Sequence, residues 1–200
     1  MSKEPTIDSA SDELIAEGRS AIGKMPDDMP SWMAATINGI DKFSLLVGRI
    51  VCWMVVPLFC AMVIEIYLRY VHVAPTVWAY DVSRFLYGAL FMLGAGYALS
   101  RGVHIRADFL YRLWKPRTQA LVDASLYVIF YFPGLSFFLW SSCDFAWTSW
   151  RQGERGMDTA WMPYVAPIKT ALPVGILFLL IQGVSELLKS VYAVIRGRWP

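Results

Sequence analysis

Acidic side chains at the edges of apolar segments are the first candidates for chemistry in this sequence. Glu65 follows residues 50–64, which carry no charge, and a carboxylate at membrane depth could carry protons in a small proton-coupled exporter. Arg69 comes four residues later, in the order that favours an ion pair across one helical turn. Glu186 similarly has Lys189 nearby. We therefore predict paired, structural carboxylates and keep the exporter as an alternative.

Histidine, cysteine and glycine patterns give little support for an enzyme. His72 and His104 fall outside the apolar segments, whereas haem held between helices needs ligands that face the bundle interior. Cys52, Cys60 and Cys143 have no metal-ligand spacing, and the sequence has no glycine-rich loop of the Walker type. We expect no catalytic activity, no metal, no cofactor of its own and no nucleic-acid partner.

The composition places the chain among integral membrane proteins. Hydrophobic residues make up 56% of its 200 residues and charged residues 17%, whereas soluble domains carry about 25% charged residues. Residues 1–41 contain eight acidic and three basic side chains, and the remainder contains eight acidic and 15 basic ones. We interpret residues 1–30 as an acidic extension in water, in which residues 6–25 have the spacing of an amphipathic helix.

Four apolar segments are each long enough to form a membrane-spanning helix. They cover approximately residues 44–68, 82–100, 122–143 and 170–192. We therefore predict an all-α membrane protein with a four-helix membrane domain over residues 44–200. Pro57 should kink the first span, because proline cannot donate a hydrogen bond to the preceding turn. Pro173 is expected in the first turn of the last span, where proline is tolerated.

Two further segments are expected at the membrane surface. Ser31 is a candidate N-cap for an amphipathic helix over residues 31–43, of the kind that lies in the interface and leads into a span. Residues 144–169 combine polar side chains with three tryptophans and a tyrosine. Because such aromatic rings favour the headgroup region, we expect this segment to lie as a loop on the membrane.

The distribution of basic residues predicts the orientation of the spans. Ten basic residues lie near the span ends on the side that holds both termini, against five on the other side. Such a bias places the richer side in the cytoplasm. We therefore predict that both termini and residues 101–117 face the cytoplasm.

The second span carries a face that suits close contact with another helix. Ala89, Gly96 and Ser100 fall on one side of it, and small side chains let a neighbouring helix approach closely in lipid. Beyond its end, His104, Asp108 and Arg112 are spaced four residues apart. That pattern suits either a solvated basic helix end or a polar latch onto another chain.

Several motifs along the chain resemble those of a known family. LRY at residues 68–70 precedes Trp78 and Asp81, a span rich in small residues ends in GVHIRAD at 102–108, and PIK and LIQG occur at 167–169 and 180–183. Over about residues 44–190 the chain is similar to the small membrane subunit, the DctQ-like Q subunit, of tripartite ATP-independent periplasmic (TRAP) transporters, and to its longer members in particular. Asp81, Ala107 and Gly156 stand where the family more often has glutamate, valine and serine.

The resemblance implies a multi-pass protein of the bacterial inner membrane that binds a large multi-span permease subunit. In such systems a periplasmic substrate-binding protein delivers an organic acid, and the large subunit carries the substrate and sodium sites. The small subunit would act as a scaffold in the lipid, without a substrate site. A proton-coupled exporter using Glu65 and a membrane assembly or anchoring protein are the alternatives.

The residues that we assign to a partner interface or to structural support come from the small-residue face and from the matched motifs. They are Arg69, Trp78, Asp81, Arg84, Ala89, Gly96, Ser100, His104, Arg106 and Asp108.

Overall fold

The computed structural model describes residues 28–102 and 116–197, which form a bundle of helices. The helices are α1 (Ser31–Cys52), α2 (Val55–Val71), α3 (Ala79–Ser100), α4 (Pro116–Leu126), α5 (Phe132–Gln152) and α6 (Ala166–Arg196). A π-helical turn, Tyr127–Tyr131, joins α4 to α5. Within these described residues, four helical segments are long and apolar enough to cross a membrane: Ser31–Val71, Ala79–Ser100, Arg117–Gln152 and Ala166–Arg196. The prediction of an all-α protein with four such helices is confirmed.

Two predicted features lie outside the described residues. One is the amphipathic helix over residues 6–25. The other is most of the segment after α3, including His104, Arg106 and Asp108, so the choice between a basic helix end and a polar latch stays open.

Pro57 interrupts the first span as its chemistry requires. In a regular helix the residue at position 57 would donate its N–H to the carbonyl of Trp53, and proline has no N–H. The N–H of Val56 bonds that carbonyl instead, at 3.2 Å, and the N–H groups of Trp53 and Met54 reach back only three residues. The predicted kink therefore appears as a short break between α1 and α2.

Residues 31–43 are part of the first span's own helix. They form the start of α1 and continue without a break to Cys52. The predicted cap at Ser31 is wrong, because the helix is preceded by Pro30 without a side-chain cap. The carbonyl of Pro30 accepts the first N–H groups of the helix, from Met33 at 3.0 Å and Ala34 at 3.1 Å.

A second proline accounts for the π-helical turn in the third span. Pro133 stands two residues after the end of this turn and cannot donate to the carbonyl four residues before it, which lies within the turn. Such one-turn π segments change the direction in which nearby side chains point. Here the hydroxyl of Tyr131 donates to the carbonyl oxygen of Leu179 in α6 at 2.7 Å. Its ring occupies the space over Gly183, where a Cβ atom would lie 2.3 Å from a ring carbon.

The last span begins earlier than predicted. The helix α6 starts at Ala166 with Pro167 in its first turn, and Pro173 lies inside it. The prediction that Pro173 stands in the first turn is therefore wrong. The amide of Lys169 already donates to Val165 at 3.2 Å, so the polar residues before the apolar segment are helical. The same holds for residues 144–152, which extend α5 and reduce the predicted surface loop to residues 153–165.

The helix α6 is the centre of the bundle. It contacts α1, α3, α4 and α5, and 39% of its apolar window is buried, whereas none of the third span's window is. The pair α3 and α6 forms the most extensive contact. Glycine makes it close: a Cβ atom on Gly175 would lie 2.4 Å from the carbonyl oxygen of Met92, and one on Gly96 would lie 3.2 Å from the backbone of Phe178.

The contacts also give the directions of the spans. Gly88 lies beside Ile168 and Gly96 beside Phe178, so α3 and α6 run parallel. At one end of the bundle Asp28 contacts Arg196. We call that end, with residues 28–30, 101–102, 116–117 and 196–197, the terminal end. The opposite end, with residues 72–78 and 153–165, is the loop end. The prediction that the terminal end faces the cytoplasm has no test in the geometry.

We expect Gly175→Ala to destabilise the bundle, because its methyl group would collide with the backbone of Met92. Overpacking of this kind costs about 1–3 kcal/mol, measurable as a lower unfolding temperature in detergent. Gly39→Ala is the matched control: Gly39 is also helical, and its Cβ would meet no atom within 4 Å. That change should leave stability equal or slightly higher. Equal unfolding temperatures for the two variants would contradict the proposed close approach of α3 and α6.

Candidate functional site

At the loop end, Glu65 joins the end of α2 to the start of α3. One carboxylate oxygen accepts from Arg69, with Nε at 3.0 Å and Nη2 at 2.5 Å. The other accepts from the backbone N–H of Thr76 at 2.9 Å and from its hydroxyl. The hydroxyl oxygen of Thr76 in turn accepts from the N–H of Ala79 at 3.3 Å. The predicted pair of Glu65 and Arg69 is confirmed, and both oxygens of Glu65 are engaged in holding the connector.

A second cluster at the loop end fastens the loop 153–165 to α3. Asp81 is fully buried and accepts hydrogen bonds from the Arg84 guanidinium at 3.2 Å and from the hydroxyl of Thr159. The same guanidinium pairs with Asp158 on the loop. Buried carboxylates need such partners, because an unpaired charge away from water is costly. Asp81 and Arg84, both predicted as interface or structural residues, therefore hold the loop within this chain.

The loop itself is folded back on its own backbone. The N–H of Gly156 donates to the carbonyl of Pro163 at 2.9 Å, and that of Val165 donates to Glu154 at 3.1 Å. The guanidinium of Arg155 lies 4.4 Å from the ring centroid of Tyr164 and donates to its hydroxyl at 2.9 Å. Such stacking of a cation on an aromatic ring contributes about 0.5–1 kcal/mol at an exposed site.

An ion pair closes the loop where it meets α6. Lys169 Nζ lies 2.5 Å from Glu154 Oε2, and the same ammonium lies 4.0 Å from the ring centroid of Phe145 in α5. The hydrogen bond from Lys169 lowers the pKa of the Glu154 carboxyl below its ordinary value. The charged form of Glu154 is thus the one that the folded loop favours.

Near the terminal end, a polar network joins α1 to α6. Asp41 Oδ1 accepts from Gln182 Nε2 at 2.9 Å and from Ser185 Oγ at 2.8 Å. Asp41 Oδ2 lies 3.0 Å from Lys189 Nζ. Ser44 donates to Gln182 Oε1 at 2.6 Å. Gln182 and Ser185 are fully buried, so the network places several polar groups between the two helices, each with a partner.

Glu186 extends the network along α6. Its carboxylate lies 2.8 Å from Lys189 Nζ, as the sequence spacing predicts, so one ammonium serves two carboxylates. Beyond the network, Met33 and Ile37 pack against Tyr192, whose hydroxyl donates to Asp28 at 2.8 Å. Polar and apolar contacts together therefore hold the first half of the first span against the last span.

Sequence reasoning did not single out Asp41, although a signal was present. Gln182, Ser185 and Lys189 recur at positions i, i+3 and i+7, which is one face of a helix. Asp41 and Ser44 share the same three-residue spacing. Two polar faces at the same depth in a membrane bundle indicate that they pair with each other, because lipid cannot satisfy them.

These clusters connect helices and do not resemble a reaction centre. The described ranges contain no group of three or more histidine, cysteine or acidic residues that could hold a metal ion. Each of the carboxylates in the clusters is held by a basic side chain. The arrangement therefore holds the membrane-spanning helices and the loop 153–165 in place.

Comparison with known proteins decides the family. Residues 58–192 match the family model described as tripartite ATP-independent periplasmic transporters, DctQ component. The chain belongs to the DctQ family. Neither the search of curated proteins nor the search of solved structures returned a match.

The DctQ match begins inside α2 and ends inside α6, and it identifies a component of a transporter, a family that is not one of enzymes. Together with the four apolar helices, it makes this chain a multi-pass membrane protein. The loop-end clusters lie within the matched residues, as do Gln182, Ser185 and Lys189. Asp41 and Ser44 lie before them, so this DctQ chain completes its terminal-end network with a segment outside the match.

The remaining predicted site residues of this DctQ chain have mostly local contacts. Gly96 is buried against Phe178 of the chain's own α6, so the close approach predicted for the small-residue face is made within the chain. Ser100 donates to the carbonyl of Tyr97 at 2.7 Å. Ala89 and Trp78 are partly buried, Trp78 directly before α3. Whether any of these residues also meets a partner stays a prediction.

We expect Lys189→Met to destabilise the protein, because it leaves Asp41 and Glu186 without their shared ammonium. Removing one partner of a buried ion pair costs about 3–5 kcal/mol, and the 18% exposure of the Lys189 side chain favours the lower value, about 3 kcal/mol. Thermal unfolding in detergent measures the loss. Lys42→Met, at an exposed position of α1, is the control and should have little effect. Equal stability of the two variants would show that the network contributes nothing.

A second prediction concerns the pH dependence of the loop. Since the folded state lowers the pKa of Glu154, the pair with Lys169 stabilises the loop above the ordinary glutamate pKa of about 4.3, and this stability is lost as pH falls through the lowered value. Hydrogen exchange of residues 153–165 should therefore be slower in the wild type than in Glu154→Gln at neutral pH. The difference between the two proteins should disappear in acid. A difference that persists at low pH would contradict this role of the ion pair.

Proposed function

We propose that this DctQ chain is the small scaffold subunit of a secondary, sodium-coupled TRAP transporter in a bacterial inner membrane. The transporter imports organic acids that a periplasmic binding protein delivers. This chain stabilises the large permease subunit, and the partner subunit carries the substrate site and uses the sodium gradient. The observation that carries the proposal is the family match over residues 58–192.

The pairing of charges supports a scaffold over a conducting role. A transport path needs polar groups that can exchange partners with a substrate or an ion. In the described clusters the carboxylates of Asp41, Glu65 and Asp81 are held by basic side chains and by amide or hydroxyl donors. Such arrangements fix helices and leave few acceptor positions for a passing ligand.

The exposed surface supports association with a larger membrane protein. No part of the third span's apolar window is buried within the chain, and only 11% of the first span's is. In lipid, such helices are free to pack against others through shape and polar contacts. A four-span protein with two such exposed faces suits a scaffold that extends a larger subunit.

The alternatives receive less support from the contacts. A proton-coupled exporter would need Glu65 to take up and release protons, but both of its oxygens hold Arg69 and Thr76. A membrane anchor without a transport partner remains compatible with the bundle itself. The family match favours the transporter, because the family is named for a component of one.

Co-purification tests the proposal. The chain and the large permease subunit encoded beside its gene are expressed together, with a tag on the large subunit only, and extracted into lipid nanodiscs. We expect both chains in equal amounts after affinity and size-exclusion steps, and uptake of an organic acid by proteoliposomes that depends on sodium and on the binding protein. Transport at full rate by the large subunit without this chain would refute the scaffold role.

A further inference from the structure

The outward side of α5 carries a groove of about 640 Å³ that is open along the helix. Its lining comes from this one helix: Ser136, Leu139, Trp140, Cys143, Asp144 and Trp147. The two small residues are seven positions apart, as are the two tryptophans, so each pair repeats on the same side of the helix. The tryptophan side chains project outward, at 80% and 63% exposure. The small side chains therefore form the bottom of the groove, and the tryptophans form its side. No second helix of the described chain covers it.

Asp144, at the edge of this groove, has no ion-pair partner within the described residues, whereas most other acidic side chains there have one. Nine acidic residues fall in the described ranges, and seven of them form ion pairs within the chain: Asp28, Asp41, Glu65, Asp81, Glu154, Asp158 and Glu186. Asp123 and Asp144, which bracket the charge-free residues 124–143 of the third span, form no ion pair within the described residues. Asp144 is also exposed.

We propose that this groove receives a membrane-spanning helix of the large permease subunit, with an arginine or lysine of that helix opposite Asp144. The inference rests on the proposed function and specifies its contact surface. A helix fits because the small side chains of Ser136 and Cys143 let its ridge approach between the tryptophans. A basic residue fits because a carboxylate at the membrane edge is stabilised by an opposite charge. Acyl chains of lipid could fill the apolar floor, but their hydrocarbon offers Asp144 no charge.

The first test of the proposal places a bulky side chain in the groove. Ser136→Phe adds a ring to the groove floor, and Ser141→Phe adds the same ring at an exposed position on the other flank of α5. We expect the first change to lower the yield of the complex several-fold and the second to leave it near the wild-type value. Both variants should unfold like the wild type when purified alone, because neither position is buried in this chain.

Protection of a native thiol identifies what covers the groove. Cys52 and Cys60 are replaced by alanine, so that the chain's only other cysteine, Cys143, reports on the groove floor without added bulk. The matched control is Ser141→Cys with Cys143→Ser, which moves the thiol about 200° around the helix at nearly the same depth. In nanodiscs, binding of the large subunit should lower the rate at which N-ethylmaleimide modifies position 143 several-fold and leave the rate at position 141 unchanged.

The outcomes separate the inference from the proposed function. If the complex forms while the thiol at position 143 stays as reactive toward N-ethylmaleimide as in the chain alone, lipid fills the groove, and the inference is overturned but the scaffold function stands. If the complex forms equally well with Ser136→Phe and Ser141→Phe, the groove is not the contact surface. If the wild-type chain binds no large subunit, both proposals fail.

Discussion

The contact between Asp41 and the polar face of α6 is the interaction on which the bundle depends most. A carboxylate can lie between two membrane helices only where donors surround it, and Gln182, Ser185 and Lys189 supply them. Gln182 is fully buried and in turn needs Asp41 and Ser44 as its hydrogen-bond partners. The network therefore fixes the depth and rotation of α1 against the last span more strictly than apolar packing alone would.

Close approach of the two backbones holds α3 against α6. Gly96 and Gly175 allow the two parallel helices to touch. The dispersion attraction between their atoms increases steeply as the two surfaces come into contact. Prolines then set where the other spans bend. The break before Pro57 separates α1, which contacts both α3 and α6, from α2, which contacts α3. The turn before Pro133 directs Tyr131 onto Gly183. The last span is thus enclosed by its neighbours, and the third span stays largely uncovered.

This division agrees with the proposed scaffold role. Charges at the loop end hold the connector 72–78 and the loop 153–165 in place through Glu65 and Asp81, so the surface there has a defined shape. In the described part of the chain, the acidic side chains without an ion pair are Asp123 and Asp144, and both lie on the third span. The charges inside the bundle already have partners. Specific association with another membrane protein therefore has to use the shape of the exposed helices and the few groups without an ion pair.

The sequence alone determined the features that depend on neighbours along the chain. Apolar length predicted four spans, the missing N–H of Pro57 predicted a kink, and a four-residue spacing predicted the pair of Glu65 and Arg69, because each effect acts within one or two helical turns. Helix ends were placed less well: Ser31 does not cap α1, and Pro173 lies inside α6, since polar residues next to an apolar segment can continue its helix.

Only the tertiary structure decided which faces meet. Asp41 and Gln182 are 141 residues apart, and no local spacing states that their helices are adjacent. The same holds for Gly96, whose small size indicated a close neighbour without indicating that the neighbour is the chain's own α6. Membrane helices form one by one from local hydropathy, whereas their pairing follows from complementary surfaces on segments far apart in the chain. The spans could therefore be derived from the residues in order. The polar spacing on α6 indicated a polar partner, but only the tertiary structure shows that the partner is on α1 and that no helix of the described chain covers the groove on α5.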